Sequence, residues 1–389
     1  MRKNKIPNQA SLLFNSLLIA YILLGSLRPI SKYVLYPMAS GTLYLIISFC
    51  LLHLLINRKL VGLQKIISSP FAIALFLACI SIACWISYPY ADALKLSMRG
   101  SDQDDCIISG VKNILNFSHP YIEKTYFGNP CSPGPGLLIL YAPFVVFHAY
   151  ILGAVTGIAA ITMAIRSHLN SWSYSGLWLV ALFSCLAIPE LLVVGSDLIL
   201  LGCGIALLAI LLPSIIKKQG FLGICGTALM GGLLASSRIN FIVLSPLLSL
   251  FVLLQWKRGG FLFFCISMLA TFIPATYIYF LDPTNFTPFH LAGKSTNIAG
   301  PTVLLLGGLL CISTALYSAF KISKNVNFIS TGIFISVAPM LVSISIGDLA
   351  TRGWNLSAWD GANYLIPLVP LAAYLLVELN QKNLRTPFN

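Results

Sequence analysis

Charged residues are scarce in this sequence: they occupy 9% of its 389 positions, and only eleven residues are acidic. Soluble domains carry roughly 25% charged residues, so this scarcity excludes an ordinary soluble fold. Hydrophobic residues make up 58% of the chain, and no polar stretch is long enough for a second, soluble domain. We therefore predict an all-α, polytopic helical membrane protein with a single transmembrane domain over residues 1–389.

Metal-binding cysteine spacings are also missing, because the ten cysteines include no CxxC pair. Eight of them lie in apolar runs, where they are most simply small buried residues, whereas Cys106 and Cys131 share a polar loop. A signal-peptide cleavage pattern is lacking too, so the first apolar run is expected to be an uncleaved span. The net charge of +13 is not gathered into a stripe. This pattern excludes nucleic acid as a partner and favours anchoring to membrane lipids.

Apolar runs of about 20 residues mark the candidate membrane spans. We count twelve, with a range of 10–13 because some are short or tightly joined. They cover 11–27, 34–56, 70–87, 137–160, 173–189, 197–216, 220–236, 240–256, 261–280, 301–320, 328–346 and 362–379. The tight joins leave room for a shorter or re-entrant element after the fourth span.

The positions of lysine and arginine predict the orientation in the membrane. If the N-terminus is inside, inner segments hold 15 of the 24 basic residues and outer segments hold ten of the eleven acidic residues. This asymmetry follows the positive-inside rule and makes both termini cytoplasmic. Three substantial segments then face outwards: 88–136, 281–300 and 347–361. We expect the chemistry there, out of reach of cytosolic nucleotides.

The first large outer segment contains the densest group of acids. Asp102, Asp104 and Asp105 occupy three of four positions, and apolar residues at helical spacing follow them. The periodicity predicts an amphipathic juxtamembrane helix over Asp105–Leu115. The acids can serve as caps, with Ser101 and Asp104 as a capping box. Alternatively, their mutual repulsion raises at least one pKa, which suits a general base.

Proline and glycine crowd the chain that follows this helix. Such a segment can be a rigid re-entry into the membrane. The sharper interpretation is a shaped wall over an active site, in which Tyr121, Tyr126 and Asn129 contact substrate. In an oxidising compartment, Cys106 and Cys131 are expected to form a disulfide that pins the helix to this segment.

The order of these motifs resembles that of a known family. The segment SDQDDCIISGVKNIL, followed by HPY, is similar to the first-loop pattern of the GT-C superfamily of integral-membrane glycosyltransferases. Ser196-Asp197 at the start of a span, and SSRIN over 236–240 between two spans, are similar to its polyprenol-phosphate-mannose-dependent branch. TYFGNPCSPGPG looks like a feature of an uncharacterised bacterial subgroup. The chain lacks the soluble C-terminal domain of oligosaccharyltransferases, and Cys106 stands where the family often has tyrosine.

The resemblance implies an outer-face enzyme of a bacterial inner membrane. It would move a sugar from a polyprenyl-phosphate donor to a hydroxyl of a lipid or glycan acceptor. Asp102 best matches the position of the family's catalytic carboxylate, with Asp104 or Asp105 as substitutes. The role of this carboxylate would be that of a general base. The leaving phosphate needs positive charge, and arginine binds phosphate with a bidentate fork. The candidate cations are Arg238, His290, Lys294 and Arg352. No cofactor is required, although the aspartates could hold a divalent metal.

The candidate cations also have purely structural explanations. Arg238 can be a helix-end side chain that extends to the membrane surface. Arg352 can pair with Asp348 or Asp360, and His290 can be an ordinary loop histidine.

Polar and aromatic residues near other span ends leave similar choices. Asp197 lies at a span edge, so it is either a functional ionisable group or a helix cap together with Ser196. Trp354, Trp359 and Tyr364 can stack on a sugar or form part of the aromatic belt at the membrane surface.

Two other classes of function stay open. A transporter or lipid flippase predicts paired charges deep inside the spans and repeated halves, neither of which is evident in the sequence. A non-catalytic membrane scaffold predicts that the three loop aspartates can be lost without effect.

Overall fold

The structure, a computed structural model, describes residues 9–57, 59–97 and 100–381. Within these residues, every regular element is helical. Nine helices are long and apolar enough to cross a membrane, and a bent pair of helices makes a tenth crossing if counted as one span. The prediction of an all-helical, multi-pass membrane protein is confirmed.

The first half of the described chain contains ten α-helices. They are α1 (Gln9–Leu24), α2 (Leu27–Tyr33), α3 (Pro37–Ile56), α4 (Val61–Ile67), α5 (Pro70–Ala93), α6 (Asp105–Leu115), α7 (Pro135–Val146), α8 (Leu152–Leu169), α9 (Trp172–Phe183) and α10 (Ala187–Val193). A 3-10 turn, Leu94–Ser97, extends α5.

Eight further α-helices complete the described chain. They are α11 (Leu198–Lys218), α12 (Phe221–Ser237), α13 (Leu244–Gln255), α14 (Lys257–Leu281), α15 (His290–Ala299), α16 (Pro301–Lys324), α17 (Ile329–Thr351) and α18 (Val369–Leu379). Four 3-10 segments connect or extend them: Ile239–Phe241, Val326–Phe328, Leu356–Ala358 and Asp360–Leu368.

The core and the periphery of the bundle differ in where apolar side chains point. Helices α11, α17 and α18 are largely buried, and one cluster of buried apolar side chains runs from Leu18 to Val377. The outer helices α5 and α16 instead expose leucine, isoleucine and phenylalanine along most of their length. Exposed apolar surface of this extent is typical of membrane contact. The central helices therefore form the core of the bundle, and the outer helices face the membrane.

The predicted span 137–160 is wrong as a single helix. Helix α7 ends at Val146 and α8 begins at Leu152. Pro143 lies in the last turn of α7 and has no N–H to continue the helical ladder. His148 then adopts a left-handed backbone with φ of 53°. A run that is uniformly apolar thus conceals a break, because hydropathy does not report backbone conformation.

The predicted span 173–189 is a bent pair, in line with the room left for a re-entrant element. Helices α9 and α10 meet at 83°. The hydroxyl of Ser26 accepts a hydrogen bond from the backbone N–H of Leu186 (2.9 Å), and the Tyr44 hydroxyl donates to the carbonyl of Ser184. Side chains from α3 and from the residue just before α2 therefore satisfy backbone groups that the bend frees.

Helix α6 spans Asp105–Leu115, as its periodicity predicts. Cys106, Ile107 and Val111 are buried on one side, where α6 packs on α7. Ile114 and Leu115 at its C-terminal end are exposed. The helix thus lies against the bundle and carries the acidic stretch at its N-terminal end.

The proline- and glycine-rich segment after α6 packs directly on the C-terminal end of α12. The backbone N–H of Gly134 donates to the carbonyl of Ser237 at 2.7 Å. A Cβ at Gly136 would lie 1.9 Å from the carbonyl oxygen of Leu233. Only glycine permits this approach of two backbones. The segment therefore sets the position of the loop relative to α12.

We expect Gly136→Ala to destabilise the protein, because the added methyl group overlaps backbone rather than a movable side chain. Overpacking of this kind costs about 1–3 kcal/mol. Gly226→Ala in α12 is the matched control, since a Cβ there meets nothing within 4 Å. The measurement is the midpoint of thermal unfolding in detergent. Equal midpoints for the two variants would contradict the packing described here.

Candidate functional site

A polar cavity of about 810 Å³ lies at the end of the bundle that carries the acidic loop. Its walls come from the loop around α6, the start of α11, the end of α12, helix α15 and the segment that follows α17. Six residues predicted from the sequence line it: Asp102, Asn129, Arg238, His290, Lys294 and Arg352. Residues from four distant parts of the chain thus meet at one site.

The three loop aspartates have three different environments. Asp102 lines the cavity and accepts a hydrogen bond from Nδ2 of Asn129 at 3.3 Å. Asp104 is 1% exposed, and the Tyr88 hydroxyl donates to its Oδ2. Asp105 forms an ion pair with Lys95 (2.6 Å) and accepts from the backbone N–H of Tyr126 (2.8 Å). Only Asp102 of the three lines the cavity.

The capping-box interpretation of these aspartates is wrong. Asp104 occupies the N-cap position of α6, but its side chain makes no capping hydrogen bond. The hydroxyl of Ser101 accepts from the backbone N–H of Gln103 (3.4 Å) and not from the third residue of the helix.

Burial of Asp104 raises the pKa of its carboxyl to about 6 from an ordinary value of 3.8. The hydrogen bond from Tyr88 opposes this shift, and the nearby charges of Asp92 and Asp105 add to it. The prediction that at least one carboxyl of the cluster has a raised pKa is confirmed, but desolvation rather than repulsion is the principal cause.

Asp92, Asp104 and Asp105 place carboxylate oxygens within 4.8 Å of one another, which is close enough to hold one cation. The ammonium of Lys95 already contacts Asp92 and Asp105, at 2.6 Å each. This lysine supplies the positive charge that a metal would otherwise bring. Asp102 is not a member of this group.

A disulfide joins Cys106, in the first turn of α6, to Cys131, as predicted, with the two Cα atoms 5.4 Å apart. The other eight cysteines are free. The hydroxyl of Thr287 donates to the carbonyl of Cys131 at 2.9 Å. The disulfide and this hydrogen bond anchor the cavity wall on two sides, next to Pro130 and Ser132, which line it.

Arg238 forms an ion pair and a hydrogen bond beside the cavity, so it does not simply extend to the membrane surface. Its Nη2 lies 2.5 Å from Oδ2 of Asp197, and its Nη1 donates to the hydroxyl of Ser132 at 3.2 Å. Asp197 is fully buried directly before α11 and makes no capping hydrogen bond, so the cap interpretation of this residue is wrong. The pair ties α11, α12 and the loop together beside the cavity.

Arg352 forms the ion pairs that the sequence allowed. Its Nε lies 2.8 Å from Asp348 Oδ1, and its Nη2 lies 3.0 Å from Asp360 Oδ2. The hydrogen bond to Asp348 is the main cause that raises the pKa of Arg352. Asp348 also accepts from the backbone N–H of Gly361 at 2.6 Å. These contacts hold the guanidinium in place, and it still lines the cavity.

Helix α15 carries His290 and Lys294 over the cavity. The carbonyl of Thr287 accepts from Nδ1 of His290 at 2.8 Å, which leaves Nε2 free to accept. Lys294 is exposed, and no carboxylate of a described residue lies within 4.0 Å of it. A lysine without a partner at the mouth of a cavity is suited to an anionic group of a ligand.

Several residues expected to contact substrate lie elsewhere. Tyr121 is buried, 2% exposed, with its ring against His119 and Phe286. Tyr126 is half exposed outside the cavity, where its backbone holds Asp105. Both tyrosines were expected in the site because they are polar and lie in the loop, but Tyr121 packs into the core, and Tyr126 lies outside the cavity although Thr125 and Asn129 line it.

The three aromatic residues near the last span lie in three different environments. Trp359 is 1% exposed and donates from Nε1 to the carbonyl of Ser345 at 2.7 Å, so it belongs to the core and neither to an aromatic belt nor to a sugar platform. Trp354 is exposed, and Tyr364 lines the cavity.

Arg28 lines the cavity and was missed by sequence reasoning. Its two terminal nitrogens lie 3.5 Å from Glu190 and 3.5 Å from Asp360. The one available signal was weak: Arg28 and Lys32 end the first apolar run on the side that the charge pattern calls outer. Asn240 and Asn363 also line the cavity, and asparagine in a loop carries no distinctive signal.

A smaller, apolar cavity of about 260 Å³ lies next to the polar one, between α7, α12 and α14. Arg238 lines both cavities. Phe272, Tyr279 and Phe289 are about half exposed at the edge of the apolar cavity. Its walls therefore extend from a guanidinium to the surface that faces lipid.

Comparison with protein-family models, with curated proteins and with solved structures finds no match for this chain.

The disulfide predicts a defined pattern of thiol labelling. In the denatured protein, a maleimide should react with eight cysteines before reduction and with ten after it. The double variant Cys106→Ser/Cys131→Ser is the control and should show eight in both cases. We expect this variant to unfold earlier, because loss of such a cross-link costs about 2–4 kcal/mol. Labelling of ten cysteines without reductant would contradict the disulfide.

The raised pKa of Asp104 predicts a pH dependence of stability. The folded state binds this proton more tightly than the unfolded chain, so the stabilisation is fully present below about pH 4 and is lost as the pH rises through about 6. The loss is at most about 3 kcal/mol. Unfolding midpoints of the wild type should therefore fall relative to Asp104→Asn between about pH 4 and 7.

The exposed acid Glu123 provides the control for this measurement, because it lies in the same loop. Glu123→Gln should follow the wild type at every pH. If the curves of the wild type and Asp104→Asn stay parallel, burial of Asp104 does not govern its ionisation.

Proposed function

We propose that this protein is a membrane glycosyltransferase of the GT-C type, with about twelve membrane segments, that uses a polyprenyl-phosphate sugar. It transfers the sugar to a hydroxyl of a lipid or glycan at the outer face of a bacterial inner membrane. One observation carries the proposal: the acid and the cations predicted for one outer-face site line the same 810 Å³ cavity.

Asp102 is the general base in this proposal. It takes the proton from the acceptor hydroxyl while that oxygen attacks the anomeric carbon of the sugar. The bond between this carbon and the phosphate oxygen breaks, and polyprenyl phosphate leaves with the bonding electron pair. Asp102 is favoured because it lines the cavity, whereas Asp104 is enclosed and Asp105 is paired with Lys95. Asn129 orients the Asp102 carboxylate.

Arg238 binds the donor phosphate. It lines the polar cavity and the apolar one, so a phosphate beside it can keep its polyprenyl chain among the exposed aromatic side chains of α14. The contacts to Asp197 and Ser132 hold the guanidinium before the donor arrives. A cation fixed in advance stabilises the charge that develops on the leaving phosphate without reorganising at that moment.

Arg352, Lys294 and His290 contact the sugar or the acceptor from the remaining walls. Arg352 is fixed by two carboxylates, whereas Lys294 is exposed and unpaired with any described acid. The fixed Arg352 is suited to orienting a ligand. The exposed side chain of Lys294 can change its conformation to contact the ligand. No metal or other cofactor is part of the proposal.

Transport is less well supported than transfer. Charged groups of the described spans lie near helix ends, with Asp197 directly before α11 and Glu378 next to last in α18. Between its ends, α11 presents buried apolar side chains such as Leu201 and Ala209. A path through the bundle would need polar groups along this helix. A non-catalytic scaffold, for its part, gives no reason for a positioned acid and cations in one cavity.

Asp102→Asn should reduce sugar transfer at least about a hundredfold, the usual contribution of a general base. The assay uses the full-length protein in membranes with radiolabelled polyprenyl-phosphate sugar and follows label in the acceptor fraction. Glu123→Gln is the matched control, an exposed acid of the same loop outside the cavity.

A measurement of donor binding distinguishes a role of Asp102 as the base from a role in binding the donor. The variant should still retain labelled donor on the purified protein, because Arg238 is unchanged. Transfer by Asp102→Asn at the level of Glu123→Gln would overturn the assignment of the base. Wild-type protein that neither binds nor consumes the donor would overturn the proposed function as a whole.

A further inference from the structure

A second large cavity, of about 730 Å³, lies at the end of the bundle opposite the site described above. It is lined by the C-terminal ends of α8, α11 and α18, by the start of α17 and by Asn325–Phe328 between α16 and α17. Helix α11 connects the two ends, from Asp197 before its first residue to Lys217. Its 21 residues rise about 30 Å, so the two cavities are separate sites.

Hydrogen-bond donors meet on one side of this second cavity. Nζ of Lys217 donates to Oδ1 of Asn327 at 2.7 Å, which leaves two of its three N–H groups available. Nδ1 of His168 faces the hydroxyl of Ser214 at 3.5 Å, so its Nε2 is not used by that contact. Lysine and histidine are favoured at these C-terminal helix ends, and their N–H groups can donate to an anionic oxygen.

A carboxylate lies in the same cavity. Glu378 lines it, and no basic group of residues 9–57, 59–97 and 100–381 lies within 4.0 Å of its carboxylate. Lys217 thus shares a cavity with Glu378 without forming an ion pair with it. A ligand that carries both a negative and a positive group could bind to Lys217 with the first and to Glu378 with the second.

The other walls of the cavity are apolar. Phe14, Tyr317, Phe328, Ile335 and Leu379 line it beside the polar groups. Tyr317 and Leu379 are about half exposed, on the outer surface of the bundle. An apolar wall that continues onto a lipid-facing surface suits a ligand with hydrocarbon chains rather than a soluble metabolite.

We propose that this second cavity binds the headgroup of a zwitterionic membrane phospholipid with a primary amine, of the phosphoethanolamine class. Lys217 and His168 hold the phosphate, Glu378 accepts hydrogen bonds from the ammonium group, and the acyl chains follow the apolar wall. A primary ammonium donates three hydrogen bonds, whereas a trimethylammonium group donates none. Glu378 should therefore favour the amine over its methylated analogues. The site is independent of the proposed sugar transfer.

The test is lipid binding to the full-length protein in detergent, measured by native mass spectrometry. The probes are short-chain phosphatidylethanolamine, its N-methylated forms up to phosphatidylcholine, phosphatidylglycerol, and free phosphoethanolamine. We expect affinity to fall about tenfold from the primary amine to the trimethyl form. This comparison needs no variant, so it cannot fail through misfolding. Free phosphoethanolamine should bind more weakly than any of the lipids.

Two variants assign the groups. Lys217→Gln should weaken every phospholipid about tenfold, whereas Lys218→Gln, an exposed lysine outside the cavity, should not. Glu378→Gln should weaken phosphatidylethanolamine more than phosphatidylcholine and so remove most of the preference for the primary amine.

Three results would each overturn the proposal: equal binding of all N-methylated forms, equal effects of the two lysine variants, or free phosphoethanolamine binding as tightly as the lipid. A preference for phosphatidylglycerol would likewise show an anionic site in which the carboxylate has no part.

Discussion

The buried ion pair between Asp197 and Arg238 is the contact on which the polar end of this protein depends. Asp197 is fully buried, and removing one partner of such a pair typically costs about 3–5 kcal/mol. Through Ser132, the same guanidinium reaches the loop that carries the acidic stretch. One side chain therefore couples the start of α11, the end of α12 and the wall of the cavity. Loss of Arg238 would leave the Asp197 carboxylate buried without its partner.

Backbone packing brings the loop to that ion pair. Gly134 donates to the carbonyl of Ser237, the residue before Arg238, and Gly136 lies too close to Leu233 for any side chain. The two glycines let the loop approach the end of α12, and this approach brings Ser132 to the guanidinium. The Cys106–Cys131 disulfide closes the arrangement from the side of α6. The glycine packing, the contact between Arg238 and Ser132 and the disulfide thus all hold the loop in the same position.

Local features of this protein were predictable from the sequence. The helix Asp105–Leu115 follows from apolar residues at a period of 3.6, a property of the segment itself. The disulfide follows from two cysteines in one short polar loop. The apolar runs mark most of the long helices, because the membrane imposes a length on them.

Features that depend on contacts between distant segments were not predictable in this way. The bend between α9 and α10 depends on Ser26 and Tyr44, which lie far from it in the sequence. The burial of Trp359 depends on Ser345. A tryptophan beside a span end reads as an interfacial residue until its partner is known.

The three neighbouring aspartates show the same limit at the scale of a single site. In the sequence they are nearly equivalent, and the resemblance favoured Asp102 by position alone. The fold distinguishes them by their partners. Tyr88 donates a hydrogen bond to Asp104, Lys95 forms an ion pair with Asp105, and Asn129 donates a hydrogen bond to Asp102 at the cavity surface. A base must reach a substrate proton, so an acid already engaged by a lysine or enclosed beneath the loop is poorly placed for that task. The engaged acids instead hold the stretch in position, which leaves Asp102 as the carboxylate that faces the cavity.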